Sequence, residues 1–293
     1  MLYDISLRIA YTYDHAADSS RHVIRLAPAE LPGEQRQVAG TLNVDPKPDE
    51  WRVQSDFFGN KTAELAYFNS HKKINLVVQS RVERFEVERR FDTAPSFDQL
   101  AQDIAGFRNL EPWAPHHFLG ASSRVPLDVA TTRYARELVM DQTSVLAAIT
   151  RIGEVLHRDF RYDPEATTVE TPMLEAFNGR RGVCQDFSHI MIACLRGIGI
   201  PASYVSGYLR TTPPAGKKRL EGADAMHAWV RAWCGTTIGW IEYDPTNATF
   251  VGADHIVIAR GRDYSDVAPI KGILRSHGKH TSTQKVDVIP AKA

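Results

Sequence analysis

Gly182-Val183-Cys184-Gln185-Asp186-Phe187-Ser188-His189 opens a stretch that runs on to Pro201 through Ile190-Met191-Ile192-Ala193-Cys194-Leu195-Arg196-Gly197-Ile198-Gly199-Ile200. Phe187, Ile190, Met191, Cys194, Leu195 and Ile198 recur at three- and four-residue steps, which predicts a helix with one apolar face. Gly197, Gly199 and Pro201 stop it. Before it, Val145, Leu146, Ile149, Ile152, Val155 and Leu156 mark another helix that ends near Asp159, where Tyr162-Asp163-Pro164 breaks the chain. After it come three strand candidates, residues 202–208, 226–233 and 240–243. Helices first and antiparallel strands afterwards spell an α+β architecture for this half.

Outward toward the N-terminus the period changes from helical to two. Tyr3, Ile5, Leu7 and Ile9 alternate with Asp4, Ser6 and Arg8, the mark of a half-buried strand. Similar runs cover residues 22–26, 37–44, 63–68 and 74–85, separated by Leu31-Pro32-Gly33, Asp45-Pro46-Lys47-Pro48, Gly59-Asn60 and Ser70-His71. Short strands with regular turns predict a β-sandwich over residues 1–91. Residues 92–126, punctuated by Pro95, Pro112, Pro115 and Pro126, form a connector with room for a short helix over 97–107. The α+β core is expected over 127–293, ending in a solvated tail from Lys271 with five Lys or Arg against one Asp.

Composition narrows the function. Lys plus Arg and Asp plus Glu are 35 each, so the 293-residue chain has no surplus positive charge for phosphate, and a nucleic-acid partner is not expected. No run of about 18 uncharged apolar residues occurs, so no membrane partner is expected either. The start, Met1-Leu2-Tyr3-Asp4-Ile5-Ser6-Leu7-Arg8, has charges where a signal peptide needs an apolar run. Three cysteines without CxxC spacing suit a reducing compartment better than a disulfide framework. The expected location is cytoplasmic.

The chemistry concentrates between Gly182 and Asn247. Cys184 stands in the first turn of its helix, where unpaired backbone N–H groups and the positive dipole end favour a thiolate. The same amides could hold an oxyanion on a carbonyl attacked by the sulfur. The bland reading, a buried thiol packing as a small hydrophobe, suits Cys194 better than Cys184, whose neighbours Gln185 and Asp186 want water or partners. His227 lies in the strand pattern Ala225-Met226-His227-Ala228-Trp229-Val230-Arg231, and Asp244 ends the next strand in Trp240-Ile241-Glu242-Tyr243-Asp244-Pro245-Thr246-Asn247. A two-residue hairpin loop, Gly235-Thr236, would set His227 directly across from Asp244. A four-residue loop, Gly235 to Ile238, would set them two positions apart on the same face, and an odd loop would separate them. A carboxylate reaching a strand histidine is what a cysteine nucleophile needs, a base held in one tautomer. Taken singly, a histidine near tryptophans packs, and Asp-Pro-Thr-Asn is a turn.

Together, Gly182-Val183-Cys184-Gln185-Asp186-Phe187-Ser188-His189, His227-Ala228-Trp229-Val230 and Gly239-Trp240-Ile241-Glu242-Tyr243-Asp244-Pro245-Thr246-Asn247 resemble the transglutaminase-like superfamily. That group of papain-related enzymes includes transglutaminases and bacterial cysteine proteases. Asp56-Phe57-Phe58-Gly59-Asn60 and Gly261-Arg262-Asp263-Tyr264-Ser265-Asp266-Val267 resemble a bacterial subgroup with a β-rich N-terminal domain. The resemblance implies a papain-like core with Cys184 as nucleophile, His227 as general base and then acid, and Asp244 as the orienting carboxylate. It implies attack on a peptide or isopeptide amide of a peptide or protein substrate through a thioester, closed by water or by an amine. The backbone N–H of Cys184 would serve the oxyanion hole, with Asn178 or Tyr162 as candidates for a second donor. The rival from another class is a catalytically silent module binding peptides in the same cleft; acyl transfer from a thioester cofactor would use the same triad.

Remaining titratable groups read as background. His189, five positions past Cys184, is turned well around the helix and reads as structural. His255 could stand behind the third motif, with packing as its default. His116-His117 lacks a third ligand nearby, and no acidic loop for calcium is visible, so neither a metal nor another cofactor is expected. Trp229, Trp233 and Trp240 could wall an acyl pocket or simply fill the core.

Overall fold

The structure, a computed structural model, describes residues 1–86, 92–211, 222 and 224–291. The boundary expected at residue 91 lies outside the described residues, since 87–91 are not among them. In chain order the strands are β1 (Leu2–Ala17), β2 (Ser19–Ile24), β3 (Gln35–Asp45), β4 (Glu50–Ser55), β5 (Lys61–Tyr67), β6 (His71–Arg84), β7 (Arg161–Tyr162), β8 (Arg181–Gly182), β9 (Ala202–Leu209), β10 (Ala225–Trp233), β11 (Trp240–Asp244), β12 (Thr249–Phe250), β13 (His255–Gly261), β14 (Ile270–Arg275) and β15 (His280–Pro290). The helices are α1 (Phe97–Gly106), α2 (Val129–Val139), α3 (Val145–Asp159), α4 (Met173–Gly179), α5 (Cys184–Gly197) and the single turns α6 (Gly235–Ile238) and α7 (Tyr264–Val267).

The N-terminal region is strand-rich, as its period-two pattern predicts. Two four-stranded antiparallel sheets, β15-β1-β6-β3 and β14-β2-β5-β4, contribute Tyr3, Ile5, Leu7, Val78, Ile24 and Leu65 to one buried cluster. Each sheet takes an edge strand from the end of the chain: β15 pairs with β1 from Tyr3↔Pro290 to Tyr13↔His280, and β14 pairs with β2. The stretch from Lys271, expected as a solvated tail, is therefore sheet. Its charges alternate outward while Val286 and Val288 point into the core.

The core is α+β: helices pack on a five-stranded antiparallel sheet of order β12-β11-β10-β9-β13. Helix α5 runs through its centre. The expectation of one apolar face understates the burial, because every residue from Gln185 to Arg196 is buried. Most polar residues on the far side are tolerated because they find partners, Ser188 Oγ being the exception. Arg196 shows this: its guanidinium donates to Ala202 O at 3.0 and 2.8 Å, Gly120 O at 3.1 Å, Ser122 Oγ at 3.0 Å and Arg262 O at 2.6 Å. Ser144 caps α3 by accepting from Ala147 N at 3.1 Å, which starts that helix where the periodicity begins.

Strand β13 is an edge of this sheet, and the N-terminal region finishes its hydrogen bonding. The buried Gln35 amide accepts from Val257 N and donates to Val257 O, both at 2.8 Å. The buried Asn60 amide does the same for Arg260 N and O, both at 2.8 Å. A bulge at Ile258, where the register with β9 shifts, lets these two residues three apart both turn outward. Asp56-Phe57-Phe58-Gly59-Asn60 is thus a docking turn: Asp56 accepts from Phe58 N and Asn60 N at 3.0 Å each and from Arg25 Nε at 3.0 Å. A buried charge cluster seals the same junction. Burial alone would raise the Glu242 carboxyl, but Arg260, Arg84 and Arg231 outweigh it and hold it at about 2. Arg260 also bonds Glu34, and the Arg231 guanidinium lies between Trp113 and Trp240, 5.2 and 4.9 Å from their rings.

Candidate active site

Cys184 is the first residue of α5, behind the short parallel pair β7–β8, in which Tyr162 stands opposite Gly182. Asp186 fixes the turn into the helix by accepting from Val183 N at 2.8 Å and Thr167 Oγ1 at 2.6 Å. Gly182 is required by space: a Cβ there would lie 2.8 Å from the Asp186 Cβ. Cys184 is partly exposed, whereas Cys194 and Cys234 are buried, and all three thiols are free.

The hairpin carrying the other two residues closes through the four-residue option. Trp233 pairs with Trp240 and Arg231 with Glu242, Cys234 N donates to Gly239 O at 2.7 Å, and Gly235–Ile238 forms the turn α6. His227 and Asp244 accordingly fall two positions apart on one face. His227 Nε2–H donates to Asp244 Oδ2 at 2.7 Å, and Cys184 lies close enough to raise the same imidazole. Asp244 is fully buried, and its two oxygens divide the work. Oδ1 caps its own turn, accepting from Thr246 N at 2.9 Å and Asn247 N at 3.2 Å, while Oδ2 also accepts from Asn247 Nδ2 at 2.7 Å. The turn cap and the hydrogen bond to His227, alternatives at the level of sequence, coexist on one carboxylate.

Electrostatics follow the geometry. Burial alone would push the His227 imidazole down, but hydrogen bonds to Asp244 and Cys184 and the charges of both lift it to about 10. Burial alone would raise Asp244; the hydrogen bonds from His227 and His255, the His227 charge and the Asn247 amide take it far below the usual carboxylate range.

His255 is the residue the sequence reading left in the background. Its Nε2–H donates to Asp244 Oδ2 at 3.2 Å, so one carboxylate oxygen serves two imidazoles. Donor atoms of His227, Asp244 and His255 lie within 4.8 Å of one another, a spacing a metal ion could use. Here they are joined by hydrogen bonds. Gly252 N donates to His255 Nδ1 at 3.4 Å, which places that ring's proton on Nε2, where a metal would need a lone pair. Alternation along β13 could have flagged His255 only with its register against β9 in hand.

The other candidates resolve simply. His189 accepts from Tyr264 N at 3.2 Å, packs on Tyr204 and is pushed down to about 4 by burial, so it is structural. His116 and His117 bond separate carbonyls, Phe107 O and Leu110 O. Trp229 and Trp233 are core residues, and Trp240 Nε1 donates to Trp113 O at 3.2 Å. Asn178 is exposed on α4, whereas Tyr162 lies close enough for the Cys184 charge to raise its phenol, after burial as the larger cause.

This helix-start thiol, strand histidine and buried aspartate sit within a segment, residues 132–245, that matches the model of the transglutaminase-like superfamily. The chain belongs to that superfamily. Residues 3–83 match the bacterial transglutaminase-like N-terminal region. An uncharacterized Mycobacterium tuberculosis protein is 32% identical over 300 residues, covering 98% of this chain and 92% of its own. An uncharacterized Mycobacterium leprae protein is 47% identical over 273 residues, covering 92% of this chain and 91% of its own. The crystal structure of a candidate cysteine protease from Cytophaga hutchinsonii superposes with a TM-score of 0.79 at 21% identity, covering 100% of this transglutaminase-like chain and 91% of that one, and shares its fold. Among the described residues no helix is long and apolar enough to cross a membrane.

Proposed function

We propose that this protein is a cysteine-dependent hydrolase or acyltransferase acting on peptide or isopeptide amides through a thioester. The observation that carries the reading is the His227–Asp244 hydrogen bond at 2.7 Å beside a helix-start Cys184 close enough to raise that imidazole. In this reading the thiol proton has already passed to His227 Nδ1, as its lift to about 10 requires, and the sulfur attacks the amide carbon as a thiolate. The Cys184 backbone N–H, free in the first turn of α5, donates to the resulting oxyanion. Tyr162, opposite Gly182 in the β7–β8 pair, is the better candidate for a second donor through its O–H. As the C–N bond breaks, the imidazolium returns its proton to the departing amine, leaving a thioester on Cys184. Water, deprotonated by His227, completes hydrolysis; an amine in its place completes acyl transfer.

The test is a panel of fluorogenic peptide and isopeptide amides, with mass spectrometry of the acid-quenched protein. The expected result is an acyl adduct on Cys184 and loss of both adduct and turnover in Cys184→Ala. That variant should stay folded, since trimming a small side chain at a helix start costs about 1 kcal/mol or less. Full turnover in Cys184→Ala would end the proposal.

A further inference from the structure

We propose that His255 is a positioning residue for this reaction: it holds the Asp244 carboxylate in place and divides that carboxylate's charge between two imidazoles. The inference rests on the reading of Cys184, His227 and Asp244 given above and extends the site to a fourth side chain.

Three observations carry it. His255 is buried, and its ring is fixed on both nitrogens, by Gly252 N at Nδ1 and by Asp244 Oδ2 at Nε2. Its ring also packs edge-to-face with Trp229, the centroids 5.2 Å apart. And it meets the oxygen that orients His227, not the one that caps the turn. The titratable groups around the pair are Cys184 from α5, His227 from β10 and Asp244 from β11. Neighbouring Asp254 is turned away to Tyr3 O–H at 2.8 Å and Arg210 Nη1 at 2.9 Å, and Glu242 beyond Trp229 is engaged by Arg260.

The consequence is chemical. An imidazole with a carboxylate to itself binds its second proton tightly and makes a strong base but a reluctant acid. The reaction needs both, because His227 must first take the thiol proton and then give it to the leaving amine. A second N–H donor on Oδ2 draws off part of the negative charge and weakens the hold on the imidazolium. His255 thereby favours the proton-return step without touching substrate.

Titrating histidine-labelled protein by nitrogen NMR, from neutral into alkaline pH, tests this. In the wild type His255 should be neutral with its proton on Nε2; a proton on Nδ1 would overturn the proposal with no variant needed. In His255→Phe the His227 titration should move up by several tenths to about one pH unit, and its ring proton on the Asp244 side should move downfield. Amide turnover should fall a few-fold to about tenfold. His255→Gln, which keeps an N–H donor at that place, should restore both. If His255→Phe is folded and His227 titrates as in the wild type, His255 is only packing and the inference fails. Iodoacetamide alkylation of Cys184 separates this from failure of the underlying reading: a His227→Gln protein that alkylates like wild type sinks the triad itself.

Discussion

Replacing Asp244 with asparagine changes the charge of the side chain and hardly its shape. In the native site Oδ2 accepts from His227 at 2.7 Å, Asn247 Nδ2 at 2.7 Å and His255 at 3.2 Å, and Oδ1 accepts from two backbone N–H groups at 2.9 and 3.2 Å. A carboxylate serves all of these because both oxygens are acceptors; an amide has one acceptor and two donor hydrogens. With its oxygen toward the turn, its NH2 would face three donors. Flipped, it would face two backbone N–H groups instead. The least costly relief is a change of tautomer, in which His227 Nε2 accepts from the amide and its proton moves to Nδ1, the nitrogen that faces Cys184. That nitrogen then has no lone pair for the thiol proton. Loss of the charge-assisted hydrogen bond alone is worth about 1.5–3 kcal/mol, roughly 10- to 150-fold in imidazole basicity. The wrong tautomer adds to this, and turnover should fall by about 10²- to 10⁴-fold. Each donor left unpaired in the buried pocket should cost about 1–3 kcal/mol of stability, so circular dichroism must show a folded variant before rates are compared. The assays are amide turnover and the rate of Cys184 alkylation across pH, read by mass spectrometry. A folded Asp244→Asn protein that matches the wild type in both would refute the reasoning.

Other outcomes follow from the same geometry. Burial pushes the Cys194 and Cys234 thiols up to about 12, so only about one in 10⁵ is thiolate at neutral pH, and Cys184 should carry nearly all the label after brief iodoacetamide treatment; comparable labelling of all three would contradict this. His227 is raised from 6.5 to about 10, so its contribution to stability is complete below pH 6.5 and is lost as pH rises toward 10. The loss has an upper bound of about 5 kcal/mol, and a melting temperature as flat in the wild type as in His227→Gln would refute it. Gln35→Leu should strand Val257 N at roughly 1–3 kcal/mol, while Val257 O keeps the Ala29 N–H, and an unchanged denaturation midpoint would show that β13 does not need its amide partner.

Local signals made much of this molecule legible. The helical period before Gly197 and the glycines after it placed α5 to within a residue, and parity alone reduced the β10–β11 hairpin to two registers that bring His227 and Asp244 to one face. What escaped was non-local. Strand β15 exposes most of its length, so His280–Pro290 carries two buried valines and little alternation, and nothing near it in sequence announces a partner some 270 residues away. Full burial of α5 was hidden because Asp186, His189 and Arg196 look like a solvent face until Thr167, Tyr264 and the carbonyl ring around Arg196 are in place. His255 was hidden by the bulge at Ile258, which breaks the alternation that would have assigned its face.

That bulge ties the N-terminal sheets to the chemistry. An edge strand with a bulge is a poor platform, since its outer N–H and C=O groups are unpaired and its register is locally loose. Gln35 and Asn60 remove both defects by bonding Val257 and Arg260 as a neighbouring strand would, and Tyr3 O–H fixes Asp254 beside the residue that matters. His255 opens that strand, and any displacement of it acts directly on the Asp244 oxygen shared with His227. The N-terminal region therefore need not reach the thiol to affect it: by completing the sheet edge it sets where the second imidazole stands.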